Sequence, residues 1–247
     1  MDSLTTAAAS GIRARIQTLD MLANNLANAS AAGFKSDRES YELYVSPEAA
    51  DSPEGTTPAI LPVIQNRWID FSQGTLVSTG NSTDLALNGK GFFVARTTDG
   101  PLYTRGGSFR VGKSGELQTQ DEYAVQGTDG KPILLDSSKS FEINPDGTVL
   151  QGGQPVAQVA LVDFADPGAL TKRGANYFRA ILPDAKATPA ANAEVQQGKV
   201  ETGNSEAAHS AARLSTILRQ FESLQKAMTI AADMKRRSVE EVAKVAS

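Results

Sequence analysis

Near the N-terminus, Thr5, Ala9, Ile12, Ile16, Leu19, Ala23 and Leu26 recur at alternating spacings of four and three, the period that lays one seam along a helical face. Asp2 or Ser3 stands where it can cap the start of that helix, and Gly33 where it can end it. Asn24, Asn25 and Asn28 predict last turns that are polar and frayed rather than packed. The far end of the chain repeats the pattern, with Leu214, Phe221 and Met228 in one row and Ile217, Leu224 and Ala231 in the other. At the helical rise, residues 206–246 extend about 60 Å as one rod. A rod of that length needs a partner surface for its apolar rows.

Between these ends the period shortens to two. Short runs such as Leu85-Ala86-Leu87, Phe92-Phe93-Val94, Leu102-Tyr103-Thr104, Tyr123-Ala124-Val125, Phe141-Glu142-Ile143, Thr148-Val149-Leu150 and Val156 to Phe164 read as strands. Asp99-Gly100, Asp129-Gly130, Asp146-Gly147 and Gly152-Gly153 supply hairpin turns between them. Glycine and proline mark the same division: 15 of the 21 glycines lie between Gly80 and Gly174, whereas residues 12–32 and 204–247 contain neither residue type. The expected fold is mainly β with α termini: an antiparallel β region in the middle, and terminal helices that pair as a coiled coil. The expected divisions are a helix in 1–35, an extended connector with a first β segment in 36–79, the β domain in 80–182, a second connector in 183–203 and the last helix in 204–247.

Composition sharpens this picture mostly by exclusion. The 247 residues carry 24 Lys+Arg against 28 Asp+Glu, too acidic a balance for a general nucleic-acid binder. Cysteine is absent, which removes disulfides, thiolate metal sites and thiol catalysis together. The chain opens Met1-Asp2-Ser3-Leu4 and soon meets Arg13 and Arg15, so no cleavable leader is expected, and no apolar run approaches the length of a membrane span.

Chemistry is scarce. The single histidine, His209, sits in an alanine-rich helix and reads as a solvated residue, leaving no triad and no two-histidine metal site. Gly89-Lys90-Gly91-Phe92-Phe93-Val94 lacks the third glycine and the following helix of a phosphate loop. Asn144-Pro145-Asp146-Gly147 is a tight turn, without the ligand series of a calcium loop. Lys235-Arg236-Arg237, with Glu240 and Glu241 close behind, reads as a solvated helix face. No catalytic residue, cofactor, metal or small-molecule substrate is expected.

Three ordered blocks nevertheless carry a resemblance. The run Ala23-Asn24-Asn25-Leu26-Ala27-Asn28-Ala29-Ser30 through Gly33-Phe34-Lys35 is similar to the N-terminal signature of the bacterial flagellar rod and hook proteins, although Ala31 and Ala32 stand where that family usually has Thr and Pro. Gly74-Thr75-Leu76, Thr79-Gly80-Asn81, Asp84-Leu85-Ala86-Leu87 and Gly89-Lys90-Gly91-Phe92-Phe93 resemble its central motif, followed by Tyr103-Thr104-Arg105-Gly106-Gly107-Ser108-Phe109. Glu201-Thr202-Gly203-Asn204, then Arg219-Gln220-Phe221-Glu222, Lys226 and Asp233-Met234, resemble its C-terminal signature, with Gly203 in place of a common serine.

The resemblance implies a structural axial subunit of the basal-body rod in the periplasm, exported without a leader through the flagellar type III apparatus, whose partners are further copies of itself and other rod proteins. It also implies that terminal helices build an inner tube, so the expected assembly face is Ile12, Ile16, Leu19, Ala23 and Leu26 with Leu214, Ile217, Phe221, Leu224 and Met228. Within the family, the length and the segment Ile143-Asn144-Pro145-Asp146-Gly147-Thr148 are most like the proximal-rod members; a distal-rod or hook-type subunit is the near alternative. From other classes, a secreted β-rich enzyme acting on cell-wall glycan, or an adhesin with a closed helical trimer, stays open.

Overall fold

The computed structural model of the chain describes residues 3–45, 60–174, 176–182 and 185–245. It is mainly β, with one helix at each end: α1 (Ser3–Ala27) and α2 (Ala207–Val245). Residues 46–59 of the connector expected in 36–79 lie outside the described residues. Residues fall into two compact units. One contains Met1–Leu26, Asp37–Trp68 and Ala207–Ser247; the other contains Ala27–Ser36 and Ile69–Glu206.

In the helical unit, α1 and α2 are joined by two strands, β1 (Asp37–Val45) and β2 (Ile60–Ile69), which form a two-stranded sheet. The absence of Gly and Pro from residues 204–247 lets α2 run for 39 residues, about 58 Å at the ideal rise. Met21 and Leu22 of α1 pack with Ile217 of α2, and Leu19 and Leu214 flank them. That small cluster is the described apolar contact of the two helices.

The β unit contains β3 (Leu76–Ser78), β4 (Leu85–Asn88), β5 (Phe92–Thr97), β6 (Gly100–Thr104), β7 (Arg110–Val111), β8 (Leu117–Gln118), β9 (Ala124–Val125), β10 (Phe141–Ile143), β11 (Thr148–Gln151), β12 (Gln154–Gln158), β13 (Leu161–Asp163), β14 (Leu170–Arg173), β15 (Tyr177–Ala180), β16 (Thr188–Pro189), β17 (Glu194–Gln197) and β18 (Lys199–Glu201). Every pairing described between β3 and β18 is antiparallel. The largest sheet runs β14-β15-β6-β5-β9-β8-β7, with β13 and β16 branching from β5. The Asp-Gly turns sit where expected, because glycine supplies the positive φ that these tight reversals demand.

Two large apolar clusters and a smaller one of Ala95, Leu102 and Tyr177 fill this unit. One gathers Leu85, Leu87, Phe93, Leu117, Val125 and Val149 among others. The second joins Phe92, Val94, Tyr103, Phe164, Leu170 and Phe178, its rings meeting edge to face, as with Tyr103 on Phe164 at 4.8 Å, a geometry the ring quadrupoles favour. Alternation along β5 explains the division: Phe93 faces one cluster while Phe92 and Val94 face the other.

Residues 183–203 differ from expectation. Instead of a connector they carry β16, β17 and β18; β17 pairs with β4 and places Val195 in the core, and β18 pairs with β3. With one apolar residue in Glu194–Gln197, the strand owes its place to the ladder offered by β4 rather than to a hydrophobic pattern of its own. In the run Ile133-Leu134-Leu135, Leu134 makes an isolated bridge with Glu116, while Ile133 and Leu135 reach the core.

Candidate functional site

Some residues from each of the three sequence blocks, among them Lys35, Arg105 and Glu201, converge inside the β unit. At the centre stands Glu201, on the last strand, β18. Its Oε1 accepts from Lys35 Nζ at 2.6 Å and from the Gly74 amide at 2.9 Å; its Oε2 accepts from Arg105 Nε at 2.8 Å and lies 2.7 Å from the second guanidinium nitrogen. The side chains of Lys35 and Glu201 are 0% exposed, that of Arg105 4%. Ions so enclosed persist only with their hydrogen bonds satisfied.

Arg105 is satisfied in full. Besides Glu201 it donates to the carbonyls of Gly89 and Gly91, each at 2.8 Å, and to that of Leu87 at 3.3 Å. The guanidinium thus holds the β4–β5 turn by its backbone, a task for which a planar fork suits better than a lysine. Lys35 donates also to the Ser72 carbonyl at 2.6 Å. Burial pushes the Lys35 ammonium below its ordinary range, against the pull of Glu201, while Arg105 pushes the same way as burial and Asp70 opposes it.

The other motif residues build the frame around this cluster. Gly33 has φ +70°, and a Cβ there would lie 2.0 Å from the Gly106 amide nitrogen; the position needs both a left-handed backbone and the absence of a side chain. Gly33 therefore does not end α1, which stops at Ala27, but lets one backbone cross another. Its amide donates to the Glu201 carbonyl at 2.8 Å. Phe34 is buried beneath the Lys172 ammonium, 4.5 Å from its ring. Thr104 Oγ1 donates to the Asn176 carbonyl and accepts from the Gly106 amide. The amides of Thr79 and Gly80 donate to the Gly198 carbonyl, the Gly198 amide donates to the Asp84 carbonyl, and Asn81 Nδ2 donates to Asp84 Oδ2. The Asn28 carbonyl lies against Gly203.

Asn204 completes the frame. Its amide donates to the Phe34 carbonyl at 3.2 Å, its Oδ1 accepts from the Ser36 amide at 2.7 Å, and its Nδ2 donates to the Asp70 carbonyl at 2.6 Å and the Ser72 carbonyl at 3.1 Å. Glu201 and Asn204 thereby tie together residues 33–36, 70–74 and 201–204, stretches within the three segments through which the chain enters and leaves this unit. Reading the sequence for chemistry passed over Lys35, Glu201 and Asn204 as individual residues. Polar residues inside the recurring blocks were the available signal.

In the helical unit the buried face of α1 is not the one its heptads select. Gly11, Ala14, Thr18, Met21, Leu22 and Asn25 are covered, while Ile12, Leu19 and Leu26 are half-buried and Ile16 and Ala23 exposed, Ile16 at 43%. The covering contacts are largely polar. Thr18 meets the Tyr41 phenol of β1, Arg15 lies over the Tyr41 ring, and the Asn25 amide both donates to the Asp37 carbonyl at 2.9 Å and accepts from its amide at 3.0 Å. Asn25 is thus packed rather than frayed, and Asn24 is exposed. On α2, Ser210, Leu214, Ile217, Phe221, Leu224, Met228 and Ala231 form the least exposed row, but Ile230 and Met234 stand 52% and 67% exposed.

A broad recess in the β unit, about 940 Å³, is bordered by Arg96, Asp99, Asp121, Tyr123, Arg173 and Tyr177. Tyr177 donates to Asp121 at 2.7 Å, and burial holds its phenol above the ordinary range, so it stays a donor at neutral pH. Among the described residues no group of three His, Asp or Glu side chains converges, and no helix is long and apolar enough to cross a membrane. His209 is exposed on α2.

Residues 86–151, from β4 to β11, match the family described as the flagellar hook protein FlgE/F/G D1 domain. Over 239 residues the chain is 33% identical to the flagellar basal-body rod protein FlgF of Caulobacter vibrioides, covering 92% of each. It is 31% identical over 244 residues to the flagellar basal-body rod protein FlgG of Bacillus subtilis, covering 89% of this chain and 91% of that one, and 30% identical over 256 residues to the FlgG of Caulobacter vibrioides. Likeness at this level, running from α1 through the Glu201 cluster to α2, shows that the chain belongs to the family of flagellar basal-body rod proteins.

Proposed function

We propose that this chain is a structural subunit of the flagellar basal-body rod, serving motility by helical self-assembly through its terminal helices and performing no catalysis. The observation that carries the reading is the near full-length likeness to rod proteins. The apolar rows of the two helices support it: Ile12, Ile16, Leu19, Ala23 and Leu26, with Leu214, Phe221, Leu224 and Met228 on α2, supply a seam that sister copies cover. A head-to-tail contact whose rotation does not close produces an open helix, so one repeated interface builds a shaft. The helices pair as a coiled coil in that shaft, beyond the small Met21–Leu22–Ile217 contact, and neighbouring rod proteins continue the same packing at each end. The shaft stands in the periplasm, reached by the flagellar type III apparatus.

Replacing the chromosomal copy with Ile16→Asp or Phe221→Asp tests this. Each leaves the β unit folded, because neither residue belongs to its core, and each abolishes rods in electron micrographs of basal bodies, because an unpaired carboxylate is costly to bury in a seam. Rods and motility with either variant would refute the assembly face. A turnover assay on peptidoglycan with the purified chain gives no product above blank if the reading holds; sustained turnover would favour the cell-wall enzyme.

A proximal position is the finer reading, supported by chain length and by Ile143-Asn144-Pro145-Asp146-Gly147-Thr148. A distal position is the second, favoured by the equally extensive likeness to FlgG proteins. Immunogold labelling of isolated basal bodies separates them, by marking the membrane-proximal or the outer end of the rod.

A further inference from the structure

The buried ion cluster has an order in the chain. Its cations come early, at Lys35 and Arg105, while the carboxylate that both contact comes 166 residues after the first and 96 after the second. The carbonyls of Leu87, Gly89 and Gly91 satisfy the Arg105 donors but neutralise no charge. The same late segment brings the ladders β17–β4 and β18–β3, the core residue Val195, and the carbonyl that receives the Gly33 amide.

We infer that Glu201 is the closing element of the β unit: the sequence from Lys35 to Arg105 supplies two enclosed cations that this late carboxylate neutralises, so the unit commits to its fold only when the chain through Asn204 is present. Burying two like charges ahead of their counter-ion is strongly unfavourable in a water-poor interior, and the long loop between Arg105 and Glu201 adds its closure entropy to the same step. A chain that appears N-terminus first therefore keeps its β unit open until its last strand arrives, immediately before α2. Glu201 acts here by position and charge, and Asp70 adds a weaker attraction at Lys35. This inference concerns folding order and stands whether or not the rod assignment holds.

Refolding the full-length chain from urea with pulsed hydrogen exchange tests it. Amides of β5 and β6 gain protection in the same phase as those of β17 and β18; earlier protection of β5 and β6 would overturn the inference. In Glu201→Gln, similar in shape but uncharged, formation of the β unit slows on the order of tenfold or more. The double variant Lys35→Met/Glu201→Gln recovers part of that loss, since it removes one uncompensated cation while the Ser72 carbonyl keeps the Asn204 amide as donor. If Glu201→Gln does not fold at all, a folded double variant supports the inference. A double variant that is no better than Glu201→Gln, in rate or in yield, refutes it, because loss of two ordinary contacts would accumulate rather than offset.

Discussion

The β unit and the helical unit treat their apolar residues in opposite ways. In the β unit Leu85, Leu87, Phe93, Leu117 and Phe178 are fully enclosed, and the charges that accompany them are paired. In the helical unit the described apolar contact is a cluster of a few residues, while Ile16, Leu218, Ile230 and Met234 stand in the open. One unit is complete within a single chain, and the other holds back a surface. An amphipathic helix gains most of its stability from packing, so a helix kept short of packing depends on neighbours.

The largest effect that would sharpen this contrast comes from the β unit. Phe93→Ala, which empties the space where the ring meets Phe109 edge to face at 5.1 Å, costs about 3–5 kcal/mol, read as a lowered urea midpoint of the β signal. Gly33→Ala comes next: strain from the left-handed backbone and from the clash with Gly106 costs about 1–3 kcal/mol, read as a lowering of the same midpoint. Ile217→Ala costs about 1–2 kcal/mol, below the usual core range because its cluster is small, and the loss shows in helical circular dichroism while the β midpoint stays in place. Hydrogen exchange on the monomer adds a direct comparison. Amides in 10–28 and 212–232 exchange far faster than those of Phe92–Thr97, and equal protection would erase the distinction drawn here.

The smallest effect is electrostatic. Hydrogen bonds from Ser138, side chain and backbone, lower the exposed Asp136 carboxyl from 3.8 to about 2. A carboxyl lowered on folding contributes stability above its unfolded value, and that contribution disappears as pH falls through the folded one. Asp136→Asn thus lowers stability slightly at neutral pH, and its deficit against the unaltered chain closes as pH falls from about 4 to about 2, as an acid titration of unfolding would record.

Much of the β unit was legible because its turns are written in Asp-Gly pairs and its buried residues in β-branched and aromatic runs. Strand β17 was not, since Glu194-Val195-Gln196-Gln197 shows no alternation of apolar residues and depends on a partner more than a hundred positions earlier. The face of α1 that is covered within the chain was hidden for a related reason. Heptad reading selects the greasiest stripe, but β1 covers the helix through the Asn25 amide, the Thr18 hydroxyl and the Tyr41 phenol, contacts that carry no hydrophobic signature. The Glu201 cluster was visible only as resemblance, because three charges scattered over the chain form no local pattern until the backbone crosses itself at Gly33.

The two bonds between Asn25 and the Asp37 backbone make the eleven positions between them a measured span, within which Gly33 donates to Glu201 of the last strand and Phe34 accepts from Asn204. Such a span behaves like a spacer of set gauge: one residue added or lost within it displaces the Asp37 backbone from the Asn25 amide. Insertions and deletions that arise as these genes diverge are therefore expected to accumulate elsewhere, leaving this stretch constant in length even where its letters change.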